Sequence, residues 1–307
     1  MEPVFALLWR AGDNPGFVPA ATSIKRMSES AEIAPHPHAS RAVKVRSAIF
    51  FALYTLLGIG HGLLSLLVGP FLSFERRYRF VNLWTRATMW LVRHLNHVHV
   101  VVEGLEHIPA DRPVVVVSNH QSQWETFYLQ LLISPQATIL KRELLWVPFF
   151  GWGLALLKPI AIDRSQPSRA LKTILRVGKE RLDEGISIVI YPEGTRQPPG
   201  TIGPFTAGGA MLASRAGVDV LPVVHNSGDH WPARSSLRLP GTIRLRIGAP
   251  IPVAGKSAKQ ITAEVEDWIR GHYPGELRAR PDLAPRDALR GLDAADPAGG
   301  TGTCPRP

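Results

Sequence analysis

From residue 98 onward, short apolar runs alternate with longer stretches of helical periodicity, and this alternation constrains the fold most strongly. The runs predict strands that are mostly buried on both sides. They are HVHVVVEG, PVVVVSNH, ATIL, KPIAID, ISIVIYPEG, VDVLPVVH and TIRLRIG. Three segments between them and one at the end predict helices: WETFYLQLLI, SRALKTILRVGKERLDEG, GGAMLASRAG and SAKQITAEVEDWIRGHY. This order predicts an α/β domain over residues 98–275, with a mostly parallel sheet and flanking helices on both faces.

An apolar segment at residues 48–74 precedes this region and contains no Asp, Glu, Lys or Arg. Its length is sufficient to cross a bilayer core of about 30 Å. Its middle, GIGHG, divides it into apolar halves at 48–57 and 63–74, each too short to cross alone. Basic residues flank both ends, so a single span and a re-entrant or interfacial hairpin are both compatible with the pattern. Either arrangement predicts membrane association, and a buried core helix is the alternative.

Three arginines recur every seven residues after this segment, at Arg79, Arg86 and Arg93. This spacing places them on one face of a helix, beside Trp and Leu side chains. Such a face is typical of a helix that lies on an anionic membrane surface, and a solvated charged face is the alternative. We therefore interpret residues 41–97 as a membrane-associated helical region. The net charge of +10 also predicts an acidic partner, which composition alone does not identify.

Both ends of the chain lack periodicity. Residues 1–40 mix Pro, Ser, Ala and charge, which predicts disorder or a misassigned start. Residues 276–307 are rich in Pro, Gly, Asp and Arg, which predicts a disordered tail. The sole cysteine, Cys304, lies in this tail, so intrachain disulfides and cysteine zinc sites are excluded and a cysteine nucleophile is disfavoured.

The stretch SNHQSQWETF directly follows the predicted strand PVVVV and carries His120 and Glu125. Ligands bind at the carboxyl ends of strands in open α/β sheets, and His120 lies just beyond such an end. A carboxylate on one imidazole nitrogen fixes the tautomer and makes the other nitrogen a better base. The pair predicts a catalytic relay that activates a hydroxyl brought by the substrate. A structural histidine that caps backbone groups is the alternative.

A second cluster, YPEGTR at residues 191–196, follows the predicted strand ISIVI. Gly194 permits a tight turn with close backbone approach, and Glu193 and Thr195 can order the loop. Arg196 offers a planar guanidinium that suits a phosphate group. An ordinary turn with a solvated arginine is the alternative.

Two further cations follow predicted strands, Lys141 after ATIL and Arg164 after KPIAID. Each one alone is compatible with ordinary surface charge. Because the ends of parallel strands meet at one edge of a sheet, the cations together predict a phosphate pocket beside His120.

Four blocks of the sequence resemble the four sequence blocks of the glycerolipid acyltransferases. The blocks are NHQSQWE, KPIAIDR, YPEGTR and LPVVHNS, in the same order and at similar spacings. Within that group, the chain resembles the bacterial lysophosphatidate acyltransferase family over about residues 75–255. The family usually carries an aspartate where this chain has Glu125, which is one methylene longer and has a different reach.

The resemblance implies the glycerolipid acyltransferase fold and an acyl transfer from a thioester to an alcohol. His120 would deprotonate the 2-hydroxyl of lysophosphatidate, and Glu125 would orient the imidazole and stabilise its protonated form. The alkoxide would then attack the thioester, giving phosphatidate and a free thiol. The residues that the resemblance assigns to the substrate phosphate and its loop are Lys141, Arg196, Glu193, Gly194 and Thr195, with looser roles for Arg164 and Pro222.

The implied donor is acyl-CoA or acyl-carrier protein, and the resemblance implies neither a metal nor a bound cofactor. We expect a location at the inner (cytoplasmic) membrane. Basic charge on the flank that leads into the catalytic domain predicts that the active site faces the cytoplasm.

Three other functions are compatible with parts of the sequence. The acceptor could be a lyso-aminolipid or another lyso-phospholipid, since Arg196 could also bind a carboxylate. A non-catalytic membrane-binding protein would use the apolar segment and the basic face, but it would need neither the His120/Glu125 pair nor YPEGTR. Nucleic-acid binding would explain the basic charge, yet the basic residues lie beside apolar stretches and not among exposed aromatics.

Overall fold

The computed structural model describes residues 39–277. The predictions of disorder for residues 1–40 and 276–307 fall outside this range, apart from residues 39–40 and 276–277. The prediction for Cys304 also lies outside the described residues.

Within residues 39–277, seven strands form one sheet with the order β1-β7-β6-β2-β5-β3-β4. All neighbours are parallel except β6 and β7, which are antiparallel. The strands are β1 Val98–Glu103, β2 Val115–Ser118, β3 Gln136–Lys141, β4 Ile160–Ile162, β5 Ser187–Ile190, β6 Val220–His225 and β7 Gly241–Ile247. The predicted mostly parallel sheet is confirmed.

The described helices pack on both faces of this sheet. They are α1 Arg41–Val68, α2 Phe74–Leu95, α3 Trp124–Leu132, α4 Phe150–Ala155, α5 Pro167–Asp183, α6 Gly208–Ala216 and α7 Ala258–Gly271. Short 3₁₀ turns cover Gly69–Phe71, Leu105–His107, Arg142–Trp146 and Ser227–Asp229.

The central strands are buried on both sides because alternate residues enter two different cores. On β2, Val115 and Val117 pack in a core with residues of α5, α6 and α7. Val116, between them, packs in a second core with residues of α1, α2 and α3. Strand residues point alternately to the two faces, so both sets must be apolar. This arrangement explains why the strands appear in the sequence as continuous apolar runs.

Helix α1 is continuous through GIGHG, so these residues do not divide the apolar segment into two helices. The chain reverses direction later, at Gly69–Phe71, and then enters α2. His61 Nε2 lies 3.0 Å from the carbonyl oxygen of Phe80 on α2, and Gly62 packs against the backbone of Phe149. Glycine costs only about 1 kcal/mol in a helix, and here it permits close packing that a larger residue would prevent.

Much of the apolar surface of α1 is not covered by the rest of the protein. Its buried face includes Val43, Phe50 and Tyr54, whereas the large side chains on the other faces are exposed. Among the described residues, the segment Arg41–Phe71 is the one helical stretch long and apolar enough to cross a membrane.

The arginine stripe lies on the exposed face of α2. Arg79, Arg86 and Arg93 are all exposed, and Leu83 and Trp90 are exposed between them. The opposite face of α2 packs into the second core.

Two glycines of GIGHG test the packing of α1. A Cβ at Gly62 would lie 2.9 Å from the carbonyl oxygen of Phe149, whereas a Cβ at Gly60 would meet nothing within 4 Å. We expect Gly62→Ala to destabilise the protein by about 1–3 kcal/mol, because α1 must shift away from the Phe149 backbone. Gly60→Ala should be neutral or stabilising by up to about 1 kcal/mol through helix propensity. Unfolding of both variants in the same detergent measures the difference, and equal effects would contradict the packing argument.

Candidate active site

The predicted site residues lie at the ends of four strands within a group of five that lie side by side in the sheet. In spatial order, these strands are β6, β2, β5, β3 and β4, and they are mutually parallel, so their carboxyl ends share one edge. His120 follows β2, the YPEGTR loop follows β5, Lys141 ends β3 and Arg164 follows β4. The structure thus brings together at one edge residues that are far apart in the sequence.

His120 and Glu125 form a direct hydrogen bond. His120 Nδ1 lies 2.7 Å from Glu125 Oε1, and the Glu125 carboxylate is fully buried. Glu125 lies in the first turn of α3, where the positive end of the helix dipole favours a carboxylate. The His120 side chain retains 11% exposure and lines a large cavity. The contact leaves Nε2 as the ring nitrogen that is not held by Glu125.

Two serines also hold the Glu125 carboxylate. Ser122 donates from its backbone N at 2.8 Å and from its hydroxyl at 2.6 Å, and the Ser227 hydroxyl donates at 2.8 Å. The backbone N of Gln121 donates at 3.0 Å. Neither serine had been identified as a site residue from the sequence. Ser122 lies inside NHQSQWE and Ser227 inside LPVVHNS, so the two blocks were visible, but nothing in their spacing indicated that they meet.

Hydrogen bonds from two neighbouring strand ends hold the backbone of Asn119 and His120 in place. The His120 N–H donates to Glu193 Oε1 at 3.4 Å, and its carbonyl accepts from the N–H of Gln197 at 2.7 Å. Asn119 exchanges two hydrogen bonds with the backbone of His225, at 2.9 and 3.1 Å. These bonds join the ends of β2, β5 and β6 and fix the position from which His120 projects.

The protonation states follow from burial and these contacts. Burial lowers the pKa of His120 below its usual value, and this outweighs the opposing effect of Glu125. Burial alone would raise the pKa of Glu125, but the His225 and His120 imidazoles and the Ser122 hydrogen bonds together lower it well below its usual value. At neutral pH the pair is therefore a neutral imidazole beside an ionised carboxylate, which is the form required of a general base.

Tyr191, the first residue of YPEGTR, stacks on the imidazole of His120. The ring centroids are 4.2 Å apart and the planes differ by 18°. The buried Tyr191 hydroxyl has no hydrogen-bond partner among the described residues. Tyr191 was not among the site residues predicted from the sequence, since no local pattern indicates that its ring meets His120.

Two arginines lie close enough to His120 to act on its charge. Arg196 and Arg164 both contribute to lowering the pKa of the imidazole, and each line the same cavity as His120. Arg164 Nη1 donates to the carbonyl oxygen of Gly194 at 3.0 Å, so it also supports the YPEGTR turn. Gly194 adopts a φ of 70°, a left-handed conformation that favours glycine.

The remaining predicted residues occupy different positions. Lys141 lines the cavity, with its Nζ 3.7 Å from Glu143 Oε1. Glu193 accepts a hydrogen bond from the backbone N–H of His120. Burial raises the pKa of Glu193 to about 8, so this side chain is protonated at neutral pH. Thr195 is exposed and does not line the cavity; its carbonyl oxygen accepts from Gln197 Nε2. Pro222 lies within β6, opposite Val117 of β2.

A cavity of about 1200 Å³ opens in front of His120, and both apolar and charged side chains line it. Part of its apolar lining comes from β3, β4, the 3₁₀ turn Arg142–Trp146 and helices α4 and α5. The residues of this part are Ile139, Leu140, Leu144, Phe150, Leu154, Ile162 and Ile174. The arrangement can hold an amphiphile with its polar group near Arg164 and Arg196 and its apolar chain among these side chains.

The buried charge of Glu125 predicts a pH-dependent contribution to stability. Its pKa is lowered in the folded state, so the contribution is present above the unfolded value near 4.5 and is lost as the pH falls below it. We expect Glu125→Gln to be less stable than the wild type by about 1–3 kcal/mol at pH 7. The difference should shrink in acid, where the wild-type carboxylate becomes protonated. Denaturant unfolding of both proteins at neutral and acidic pH measures this, and a pH-independent difference would contradict it.

Comparison with known proteins places this geometry in a family. The sequence profile of the Acyltransferase family matches residues 99–226. The chain is 45% identical over 229 residues to the 1-acyl-sn-glycerol-3-phosphate acyltransferase of Pseudomonas aeruginosa, a match that covers 73% of this chain and 89% of that protein. It is 32% identical over 187 residues to the human 1-acyl-sn-glycerol-3-phosphate acyltransferase alpha, covering 60% of this chain and 66% of that protein.

A solved structure has the same fold. The 1-acyl-sn-glycerophosphate (LPA) acyltransferase PlsC from Thermotoga maritima matches with a TM-score of 0.64 and 27% identity, covering 75% of this chain and 94% of that one. The region matched by the family profile contains His120, Glu125, Lys141, Arg164 and Arg196. The chain therefore belongs to the 1-acyl-sn-glycerol-3-phosphate acyltransferase family.

Proposed function

We propose that this chain transfers a fatty acyl group from an acyl thioester to the sn-2 hydroxyl of 1-acyl-glycerol-3-phosphate, with His120 as the general base. The observation that carries the proposal is the His120–Glu125 pair, joined at 2.7 Å in the wall of a cavity that also contains cations and an apolar region. Among the described residues, Glu125 is the only side chain hydrogen-bonded to the His120 ring. The base is thus not bonded to an enzyme nucleophile and is available for a hydroxyl that the substrate brings.

The proposed reaction proceeds in two steps. His120 Nε2 takes the proton from the sn-2 hydroxyl while the oxygen attacks the thioester carbonyl, and Glu125 stabilises the imidazolium that forms. The tetrahedral intermediate then collapses, the carbon–sulfur bond breaks, and the thiolate leaves with a proton from His120. Phosphatidate and the free thiol carrier are the products. The thioester is already activated, so this route requires no metal or bound cofactor.

The cations beside His120 support a phosphate-bearing acceptor. The sn-3 phosphate lies only a few bonds from the attacking hydroxyl, so it must bind close to the base. Arg196 and Arg164 are cations that help to lower the pKa of His120, and Lys141 lines the same cavity. A pair of guanidinium groups suits a phosphate dianion better than the single carboxylate of a lyso-aminolipid. We assign these three residues to the acceptor phosphate, and Glu193, Gly194 and Thr195 to the loop that holds Arg196.

The exposed surfaces of α1 and α2 support a location at a membrane. Leu56, Leu63 and Leu67 of α1 are exposed, and α2 presents its arginines together with Leu83 and Trp90. Apolar surface beside basic charge binds an anionic leaflet, where the lipid acceptor is found. We propose that this surface holds the protein at the inner membrane with the active site facing the cytoplasm, where acyl-CoA and acyl-carrier protein are available.

Replacement of the base tests the mechanism. We expect His120→Ala to lower turnover by at least about 100-fold, because general-base catalysis contributes roughly 10²–10⁴ to a rate. The assay measures thiol release from a long-chain acyl thioester in detergent micelles with lysophosphatidate as the acceptor. His99→Ala is the matched control, since His99 is exposed on β1. Activity of His120→Ala above a tenth of the wild type would contradict the assigned role. Turnover with a lyso-aminolipid but not with lysophosphatidate would keep the chemistry and change the acceptor.

Glu193 predicts an alkaline limit to activity. Its pKa is raised to about 8 by burial, so ionisation above this pH adds a negative charge beside Glu125 and the phosphate site. We expect the rate to decline above about pH 8 in the wild type, because this charge repels the acceptor phosphate. Glu193→Gln mimics the protonated form, so its pH profile should remain flat there. The acidic limb, which reflects His120, should lie below pH 6.5 in both proteins. An alkaline decline that persists in Glu193→Gln would exclude Glu193 as its cause.

A further inference from the structure

A second group of cations lines the cavity on the side opposite to Arg164 and Lys141. The loop between β6 and β7, residues 231–238, forms this rim together with the first turns of α1. Lys44 on α1 and Arg234 on the loop both line the cavity and are both exposed. Neither has an ion-pair partner among residues 39–277, so their charges are available to a ligand.

The loop that carries Arg234 is held in place by Arg238. The backbone N–H of Arg238 donates to Ser47 Oγ on α1 at 2.9 Å, and its guanidinium lies 4.1 Å from the ring centre of Trp231. Its Nη1 donates to the carbonyl oxygens of Ser235 and Leu237 at 3.2 and 2.9 Å. Arg238 is buried and its hydrogen bonds stabilise the loop. Arg234 is therefore the exposed cation that this loop contributes to the rim.

The strand order separates the two groups of cations. His120 follows β2, with β6 on one side and β5, β3 and β4 on the other. Lys141 ends β3 and Arg164 follows β4, and both strands lie on the β5 side of β2; the Arg164 side chain reaches back to the carbonyl oxygen of Gly194 in the loop after β5. The loop with Arg234 leaves β6 on the other side. His120 therefore lies between two cationic regions of one cavity.

The two substrates of the proposed reaction need phosphate sites at different distances from the base. The acceptor phosphate is a few bonds from the reacting hydroxyl, and it matches Arg164 and Arg196. In acyl-CoA and acyl-carrier protein, the whole pantetheine arm separates the thioester from the nearest phosphate. That phosphate cannot use the acceptor site while the thioester is at His120.

We propose that Lys44 and Arg234 bind the phosphate of the donor's phosphopantetheine, so that the donor enters over the α1 and β6–β7 rim while the acceptor phosphate binds at Arg164 and Arg196. This inference rests on the proposed function, because it takes the thioester donor as given. It assigns the two walls of the cavity to two substrates. The phosphopantetheine group is common to coenzyme A and acyl-carrier protein, so the rim can serve either donor.

Charge reversal at the rim tests the assignment. We expect Lys44→Glu/Arg234→Glu to raise the KM for acyl-CoA about tenfold, with kcat and the KM for lysophosphatidate unchanged. With an acyl-pantetheine thioester, which lacks the phosphate, the variant and the wild type should have the same KM. Lys259→Glu on α7 is the control, since Lys259 is exposed and does not line the cavity. Both rim residues are exposed, so the substitutions leave the core intact.

The outcomes separate this inference from its alternatives. An unchanged KM for acyl-CoA, or an equal rise with acyl-pantetheine, would overturn it. A loss of activity on anionic vesicles that is absent in neutral micelles would assign Lys44 and Arg234 to the membrane and would also overturn it. A higher KM for both acyl-CoA and acyl-carrier protein supports contact with the phosphate that the two donors share. A higher KM for only one of them supports the site and identifies the donor that uses it.

A binding measurement distinguishes a failure of this inference from a failure of the proposed function. Calorimetric titration with free coenzyme A, compared with pantetheine, requires no turnover. One outcome is that the wild type is inactive on lysophosphatidate and still binds coenzyme A, while the double variant does not bind it. In that case the rim assignment holds and the assignment of lysophosphatidate as the acceptor is wrong. If the wild type is active and the double variant binds coenzyme A equally well, the acceptor holds and the rim assignment is wrong.

Discussion

The buried carboxylate of Glu125 is the constraint on which the site depends. An ionised carboxylate without partners is very costly to bury, so every donor around it must be in place. Among the described residues, five donor groups point at it, from His120, Gln121, Ser122 and Ser227. These donors belong to the β2–α3 turn and to the turn after β6. The hydrogen bonds to the Glu125 carboxylate therefore hold the ends of β2 and β6 together. The same charge fixes which nitrogen of His120 faces the cavity.

The mixed sheet explains how this one edge becomes a site. Five parallel strands bring their carboxyl ends together, and the reversal at β7 sends the chain back over that edge through the loop 231–238. The parallel part supplies the base and the cations, and the reversed part supplies the opposite rim. The Arg238–Trp231 stack and the bond from Arg238 to Ser47 join this rim to α1. As a result, the helix with the large exposed apolar surface is also a wall of the cavity, which suits an enzyme whose acceptor is a lipid.

Several elements were accessible from the sequence because their signals are local. The runs of β-branched residues identified the strands, and the alternation with helices identified the mostly parallel sheet. The blocks NHQSQWE and YPEGTR indicated His120, Glu125 and Arg196 as candidate site residues, and the family likeness is confirmed. The interpretation of GIGHG as a division of the apolar segment was wrong, because glycines remain helical when a neighbour packs closely. The Phe149 backbone that packs against Gly62 lies far along the chain, and no local pattern could have indicated it.

The sequence by itself determined the elements, their order and the chemical character of each strand end, because these depend on periodicity and residue type. Only the tertiary structure decided which ends are neighbours. Ser227 reaches Glu125 across about a hundred residues of sequence, and the Tyr191 ring meets the imidazole of His120 because β5 pairs with β2. The environment that sets the pKa of Glu193 and the separation of two cationic rims around His120 also arise from packing between distant segments. Such contacts depend on the strand order, which the alternation of strands and helices leaves open.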